Sequence, residues 1–218
     1  MTFNEQDINR EQDGQFGRKL GAPSEIALAR DEAGHSFPIP QADRLDKVAV
    51  SVDAIAAGAN TPAAVAESLD MDERLGSMYG DAAGYIGLVT ASGSPKTYDL
   101  TPLGEAFVAA TPAERGKMMN TLVADTDIVQ EYNDRGASGV EELIEERGYS
   151  GTTISRRGQT AAAWAAAVAG GETLDLTDEI AATRGRAAIA AAKIRTNAAP
   201  EVCTGCWMEK PTSGDCGC

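Results

Sequence analysis

Histidine occurs once in the 218 residues, at His35. Its place in a flexible-looking segment argues against His-dependent acid–base chemistry and against a His-containing triad. His35 itself sits in a polar stretch and reads as an exposed, incidental side chain. Aromatic residues are few, with two Trp and four Phe, so the apolar share is carried by Ala and Val. Lysine is scarce beside arginine, and Ala and Gly are abundant, which reads as the codon bias of a GC-rich genome. No run of about 18 apolar residues exists, which excludes a membrane-spanning helix. The opening MTFNEQDINREQDG is polar and acidic, unlike a secretory signal, so a cytoplasmic location is expected. There is no Gly-rich phosphate loop ending in Gly-Lys-Ser/Thr and no nuclease-like carboxylate–lysine set. The chain is therefore expected not to be an enzyme.

Charge is the main positive feature of the composition, with 33 acidic against 19 basic residues and a net −14. Such a balance argues against a general nucleic-acid coat, which needs a positive field to displace counterions from phosphates. The distribution is uneven, however. Residues 141–146 hold four glutamates, whereas residues 151–171 hold Arg156 and Arg157 and no acid. A basic face on an acidic body can still dock DNA, with low non-specific affinity.

Periodicity divides the chain. Residues 1–36 are polar, aperiodic and Gly-dotted, and read as a flexible arm with a short helix near Ser24–Arg30. Phe37-Pro38-Ile39-Pro40 is an extended lead-in, because each Pro drives its predecessor out of the helical region. Leu45, Val48, Val52, Ile55 and Ala56 recur at helical steps, predicting an amphipathic helix from Ala42 to Gly58. Thr61-Pro62 pairs a hydroxyl cap with Pro at the first helical position and predicts a short helix over Ala63–Leu69. A third helix is predicted from Asp72 to about Ile86. Strands over Leu88–Ala91 and Thr97–Leu100 follow, joined by the turn Ser92-Gly93-Ser94-Pro95-Lys96. Thr101-Pro102 then caps a helix over Leu103–Ala110.

Beyond it, residues 113–135 predict one helix with Met118, Met119, Leu122, Val123, Ile128 and Val129 inward. A short helix over Gly139–Arg147 turns inward Val140, Leu143 and Ile144. Gly148-Tyr149-Ser150-Gly151 is a turn, and Thr152 starts a helix carrying Ile154 and Trp164 as core residues and ending at Gly170-Gly171. Thr177–Asn197 is an Ala-rich helix with acids at its start and bases at its end, matching the helix dipole. It is expected to pack across the modules or to form part of a homodimer contact.

Helix, short helix, turn, helix and hairpin is the order of a winged helix-turn-helix. Tyr98-Asp99-Leu100-Thr101-Pro102-Leu103-Gly104 resembles the wing exit of many bacterial winged-helix proteins, and Gly87-Leu88-Val89 resembles their exit from the third helix. TTISRRGQTAAAWAAAV resembles recognition helices of bacterial restriction-linked proteins. The fold expected is mainly α, with two tandem helix-turn-helix modules, one small β-hairpin wing and a C-terminal zinc knuckle. The segments are residues 1–36 as arm, 37–112 as winged module, 113–171 as second module, 172–199 as Ala-rich helix and 200–218 as zinc-binding tail.

Recognition helices present their N-terminal residues to base edges. In the second module these are Thr152, Thr153, Ser155, Arg156, Arg157 and Gln159. Arginine can bind guanine bidentately and Gln can bind adenine, whereas Thr and Ser more often hold phosphates. A solvated helix surface is the alternative. In the first module Arg74, Ser77 and Tyr79 are the groove-facing candidates, with Lys96 on the wing near a phosphate. Asp70, Asp72, Glu73 and Asp81 surround them, so a packing or protein-contact role stands beside DNA binding there.

All four cysteines lie within residues 203–218. Cys203-x-x-Cys206 has knuckle spacing for a tetrahedral zinc, and Cys216-x-Cys218 closes the set one residue shorter than usual. Without a secretory signal, a structural Zn2+ ion is the preferred reading; two disulfides or free thiols are the alternatives. The tail resembles small zinc ribbons appended to DNA-handling proteins. Glu141, Glu142, Glu145 and Glu146 have the spacing of a solvated helix face rather than of a metal site.

The function expected is sequence-specific binding of double-stranded DNA, as a regulator or the targeting component of a restriction or defence locus. A nuclease, methyltransferase or ATPase partner would supply any catalysis. The alternative is an acidic adaptor or DNA mimic in which winged helices are scaffolds.

Overall fold

In the computed structural model, which describes residues 37–170, 183 and 185–190, the extended lead-in buries Phe37 and Ile39 and delivers the chain to helix α1 (Leu45–Ala56). The described chain is mainly helical with one small two-stranded antiparallel sheet. Helix α1 is not amphipathic in the ordinary sense. Val48, Ala49, Val50, Val52 and Ala54 are all fully buried, because other elements pack around it on several sides. Only its end departs from the expected inward set, with Ala56 exposed.

Thr61 caps α2 (Pro62–Leu69) by accepting a hydrogen bond from the Ala64 N–H at 3.2 Å. The chain reverses at Asp70 in the left-handed region, φ 54°. Asp72 then caps α3 (Glu73–Tyr85) through the Leu75 N–H at 3.2 Å. The two helices approach so closely at Gly76 that a Cβ there would run into the Pro62 carbonyl and Ala66. Strands β1 (Val89–Ser92) and β2 (Thr97–Leu100) pair with Val89 opposite Leu100 and Ser92 opposite Thr97, closing over Gly93 at φ 74°. Thr101 links strand exit and helix start. Its hydroxyl donates to the Gly87 carbonyl at 2.7 Å and accepts from the Gly104 N–H at 3.0 Å, capping α4 (Pro102–Ala109).

The single helix expected over 113–135 is two helices. A capping box of Thr111 and Glu114 opens α5 (Pro112–Ala124). The Thr126 hydroxyl donates to the Val123 carbonyl at 2.6 Å, and a new helix, α6 (Asp127–Glu146), starts after it. The break expected between 135 and 139 falls at Gly136, which adopts φ 71° and ψ −161° and interrupts α6 there. Helix α7 (Thr152–Gly170) begins where the sequence predicts.

One apolar cluster contains residues of α1–α4 together with Met119 and Leu122 of α5, Ile128 and Ile144 of α6, and Trp164 of α7. The core is therefore continuous across position 112/113. Trp164 is 0% exposed, donates its indole N–H to the Ala42 carbonyl at 2.8 Å, and meets Tyr85 edge-on at 6.4 Å. A buried ion pair ties α5 to α1, with Arg115 2.6 Å from Asp53 and side chains 4% and 0% exposed. Arg115 also donates to the Ala110 carbonyl at 3.0 Å and to that of Val108.

Residues 183 and 185–190, inside the expected Ala-rich helix, are helical. Ala187 packs against Ala54, Ala59 and Ala64, and Arg186 donates to the Ser68 carbonyl at 2.7 Å. Among the described residues no helix is long and apolar enough to cross a membrane. The arm with His35, the rest of 171–199 and the cysteine tail lie outside the described residues.

Candidate nucleic-acid interface

Residues far apart in sequence meet at one cleft of about 310 Å³. The first turns of α3 contribute Asp72, Arg74, Leu75 and Met78, and α7 contributes Arg156, Gln159 and Thr160. The lead-in before α1 adds Gln41 and Asp43. It is held there because the carbonyl between them, that of Ala42, is pinned by the Trp164 indole. Arg74 and Arg156 are both exposed, and neither side chain makes a hydrogen bond or ion pair with another described residue. Two arginines, two aspartates, two glutamine amides and a hydroxyl thus face one recess, and its formal charge cancels.

A second, more open cleft of about 450 Å³ lies beside the first and shares Arg74, with Pro62, Glu73, Ser77 and Lys96. Lys96 is not a free cation on the hairpin. Its ammonium donates to both Asp81 oxygens, at 2.8 and 3.1 Å. Asp81 also accepts the Tyr98 hydroxyl at 2.8 Å. Burial, and then the Asp81 charge, push the Tyr98 phenol well above its ordinary range, so it stays a donor.

Two expected contacts are corrected. Tyr79 is only 6% exposed and belongs to the core. It lies three residues from Gly76 and four from Ala83, on the buried face of α3, and burial followed by the Asp43 charge raises its pKa. Arg157 is 7% exposed, its guanidinium stacked 4.0 Å from the Tyr149 ring centroid. Its Nε has no hydrogen-bond partner among the described residues. Arg157 therefore braces the turn before α7 against that helix and does not project from it. Thr152, Ser155, Arg156 and Gln159 are exposed, and Thr153 is half-buried.

Sequence reasoning missed Gln41 and Asp43, which precede the first helix and carry no local signal of what they face. It also missed a network outside this cleft. The Tyr85 hydroxyl donates to Asp127, whose other oxygen pairs with Arg147. Burial, then the Asp127 charge, drive the Tyr85 phenol far above its normal range.

Elsewhere acid dominates. Glu141, Glu142, Glu145 and Glu146 are all exposed, and Arg135 bridges Glu131 and Glu142. Among the described residues no three His, Cys, Asp or Glu are grouped to hold a metal ion. Compared with known protein families, with curated proteins and with solved structures, the chain matches none.

Proposed function

We propose that the protein is a non-enzymatic, sequence-specific binder of double-stranded DNA, built on two helix-turn-helix units of which the first carries a wing. The order α1, α2, α3 and hairpin supports the first unit. The part of α6 that follows Gly136, the turn at 147–151 and α7 support the second. One observation carries the reading. In a protein with 33 acids and 19 bases, Arg74 and Arg156, one from each unit, are exposed, face one recess and make no ion pair with a described residue.

In this reading Arg156 takes guanine O6 and N7 and Gln159 reads a neighbouring adenine. Thr152, Thr153 and Ser155, near the positive end of the α7 dipole, hold phosphates. Arg74 and Ser77 make the corresponding contacts from α3. Lys96 contributes less than a free wing lysine, because Asp81 already neutralises it. The net −14 charge keeps non-specific affinity low, so discrimination rests on base contacts. The protein would act as a regulator, or would target a nuclease, methyltransferase or ATPase in a restriction or defence locus. Cys203, Cys206, Cys216 and Cys218 would hold a structural zinc ion with no part in chemistry.

Selection from a random duplex pool at two salt concentrations tests the reading. Enrichment of one sequence class, with binding that falls steeply as salt rises, is the expected result; an unenriched pool at both salts refutes it. The exposed α6 glutamates and the neutralised Lys96 favour a second reading, an acidic adaptor or DNA mimic. That reading predicts capture of a basic partner and no retained DNA.

A further inference from the structure

The exposed Arg156 side chain can reach out from α7 to a groove floor, but the recess it borders cannot itself take up a duplex. The major-groove floor is itself recessed and is read by elements that protrude into it. A cleft of about 310 Å³ between α3 and α7 can receive only something that stands out from the nucleic acid. A sugar–phosphate ridge and an unstacked base both do so.

The lining discriminates between them. A phosphate ridge carries negative charge along its length, and Asp43 and Asp72 share the recess with Arg74 and Arg156. Their charges cancel the arginines', which removes the field a phosphate track needs. A nucleobase is neutral and planar, with hydrogen-bond donors and acceptors spaced around its edges. Leu75 and Met78, both half-buried in the lining, offer apolar contact to its faces. The volume is at the small end of ligand sites, which begin at about 300 Å³.

Among the four bases only guanine sets two adjacent N–H donors, N1–H and the N2 amine, opposite a pair of acceptors, O6 and N7. A carboxylate matches the donor pair and a guanidinium the acceptor pair. Asp72 uses one oxygen on the Leu75 N–H, which leaves Asp43 as the better partner for the donor edge. We infer that the cleft between α3 and α7 binds a single unpaired guanine, held between Asp43 and an arginine over the Leu75 and Met78 side chains. The inference rests on the nucleic-acid reading above and adds a preference for a base that has left the stack. Leaving is least costly at mismatches, bulges and strand ends.

The test uses the full chain with its methionine methyls labelled for NMR, and guanosine, inosine and thymidine as probes. Guanosine is expected to shift the Met78 methyl. Inosine, lacking the N2 amine, should bind about tenfold more weakly, the worth of one hydrogen bond to a charged acceptor, and thymidine should leave the methyl unmoved. Asp43→Asn should bring guanosine down to the inosine level; the methyl of Met119, buried in the core and absent from the cleft lining, should shift with no probe. In parallel, a duplex with one unpaired guanosine should bind at least tenfold tighter than the fully paired duplex or one with an unpaired thymidine. A Met78 methyl that ignores guanosine overturns the inference, as do equal affinities for paired and unpaired duplexes. Equal, tight duplex binding would leave the DNA reading intact. A chain that binds guanosine but no DNA would keep the cleft assignment and end the DNA reading.

Discussion

Trp164→Ala removes the largest fully buried side chain among the described residues. Emptying an aromatic core site costs about 3–5 kcal/mol. Here the change also strands the Ala42 carbonyl, which accepts the indole N–H at 2.8 Å, and removes the edge-on partner of Tyr85. An unsatisfied buried acceptor costs about 1–3 kcal/mol on its own, so the loss should reach the upper end of the core range. Domains of this size have total stabilities of about 5–15 kcal/mol, so the variant should be marginal. Trp164→Phe separates the contributions. It keeps most of the ring area and loses the N–H donor, and should cost about 1–3 kcal/mol. Urea unfolding followed by far-UV circular dichroism is the assay. Because Trp164 belongs to a core shared by α1–α7, the parent should unfold in one transition. An Ala variant within about 1 kcal/mol of the parent would refute the reasoning, and so would a parent whose two halves melt separately.

Arg115→Met should cost about 3–5 kcal/mol, because it removes the cation paired with the fully buried Asp53 carboxylate; adding Asp53→Leu should recover much of the loss in the same denaturation assay. The raised phenols of Tyr85 and Tyr98 favour the protonated folded state, so their contribution is full below the ordinary value of 10.0 and declines above it, as the unfolded chain ionises first. Denaturation midpoints from about pH 9 to about pH 11 should fall, and less steeply in Tyr85→Phe. Chelation should remove one zinc ion from the purified chain by elemental analysis; a metal-free chain with four titratable thiols, or one with two disulfides, would contradict the zinc assignment.

The sequence announced what short-range chemistry controls. Thr61-Pro62 and Thr101-Pro102 are caps with Pro at the first helical position, and both helices start there. The Gly93 turn and the strands on either side lie within a residue of their expected bounds. The break between α5 and α6 was hidden, because Asp125-Thr126 contains neither Gly nor Pro and apolar residues continue in step across it. Only the Thr126 side chain bonding back to Val123 marks it. Tyr79 was misassigned because α3 is rich in Gly and Ala, so its faces differ little in hydropathy, and packing against α1 and α2 decides which one turns inward. Arg157 looked like its neighbour Arg156. The helical step of about 100° between them puts one over Tyr149 and the other at the cleft. The Asp53–Arg115 pair spans 62 positions, a separation over which charge pattern says nothing.

The central claim, base reading by α7, meets its most direct test in the affinity of Arg156→Ala for a selected duplex. Relative to the parent chain, the variant should lose about 1–3 kcal/mol of binding and relax preference at one base position. It should leave affinity for unrelated duplexes nearly unchanged. Parent and variant binding the selected duplex equally, or a parent that retains no duplex DNA even at low salt, would contradict the account.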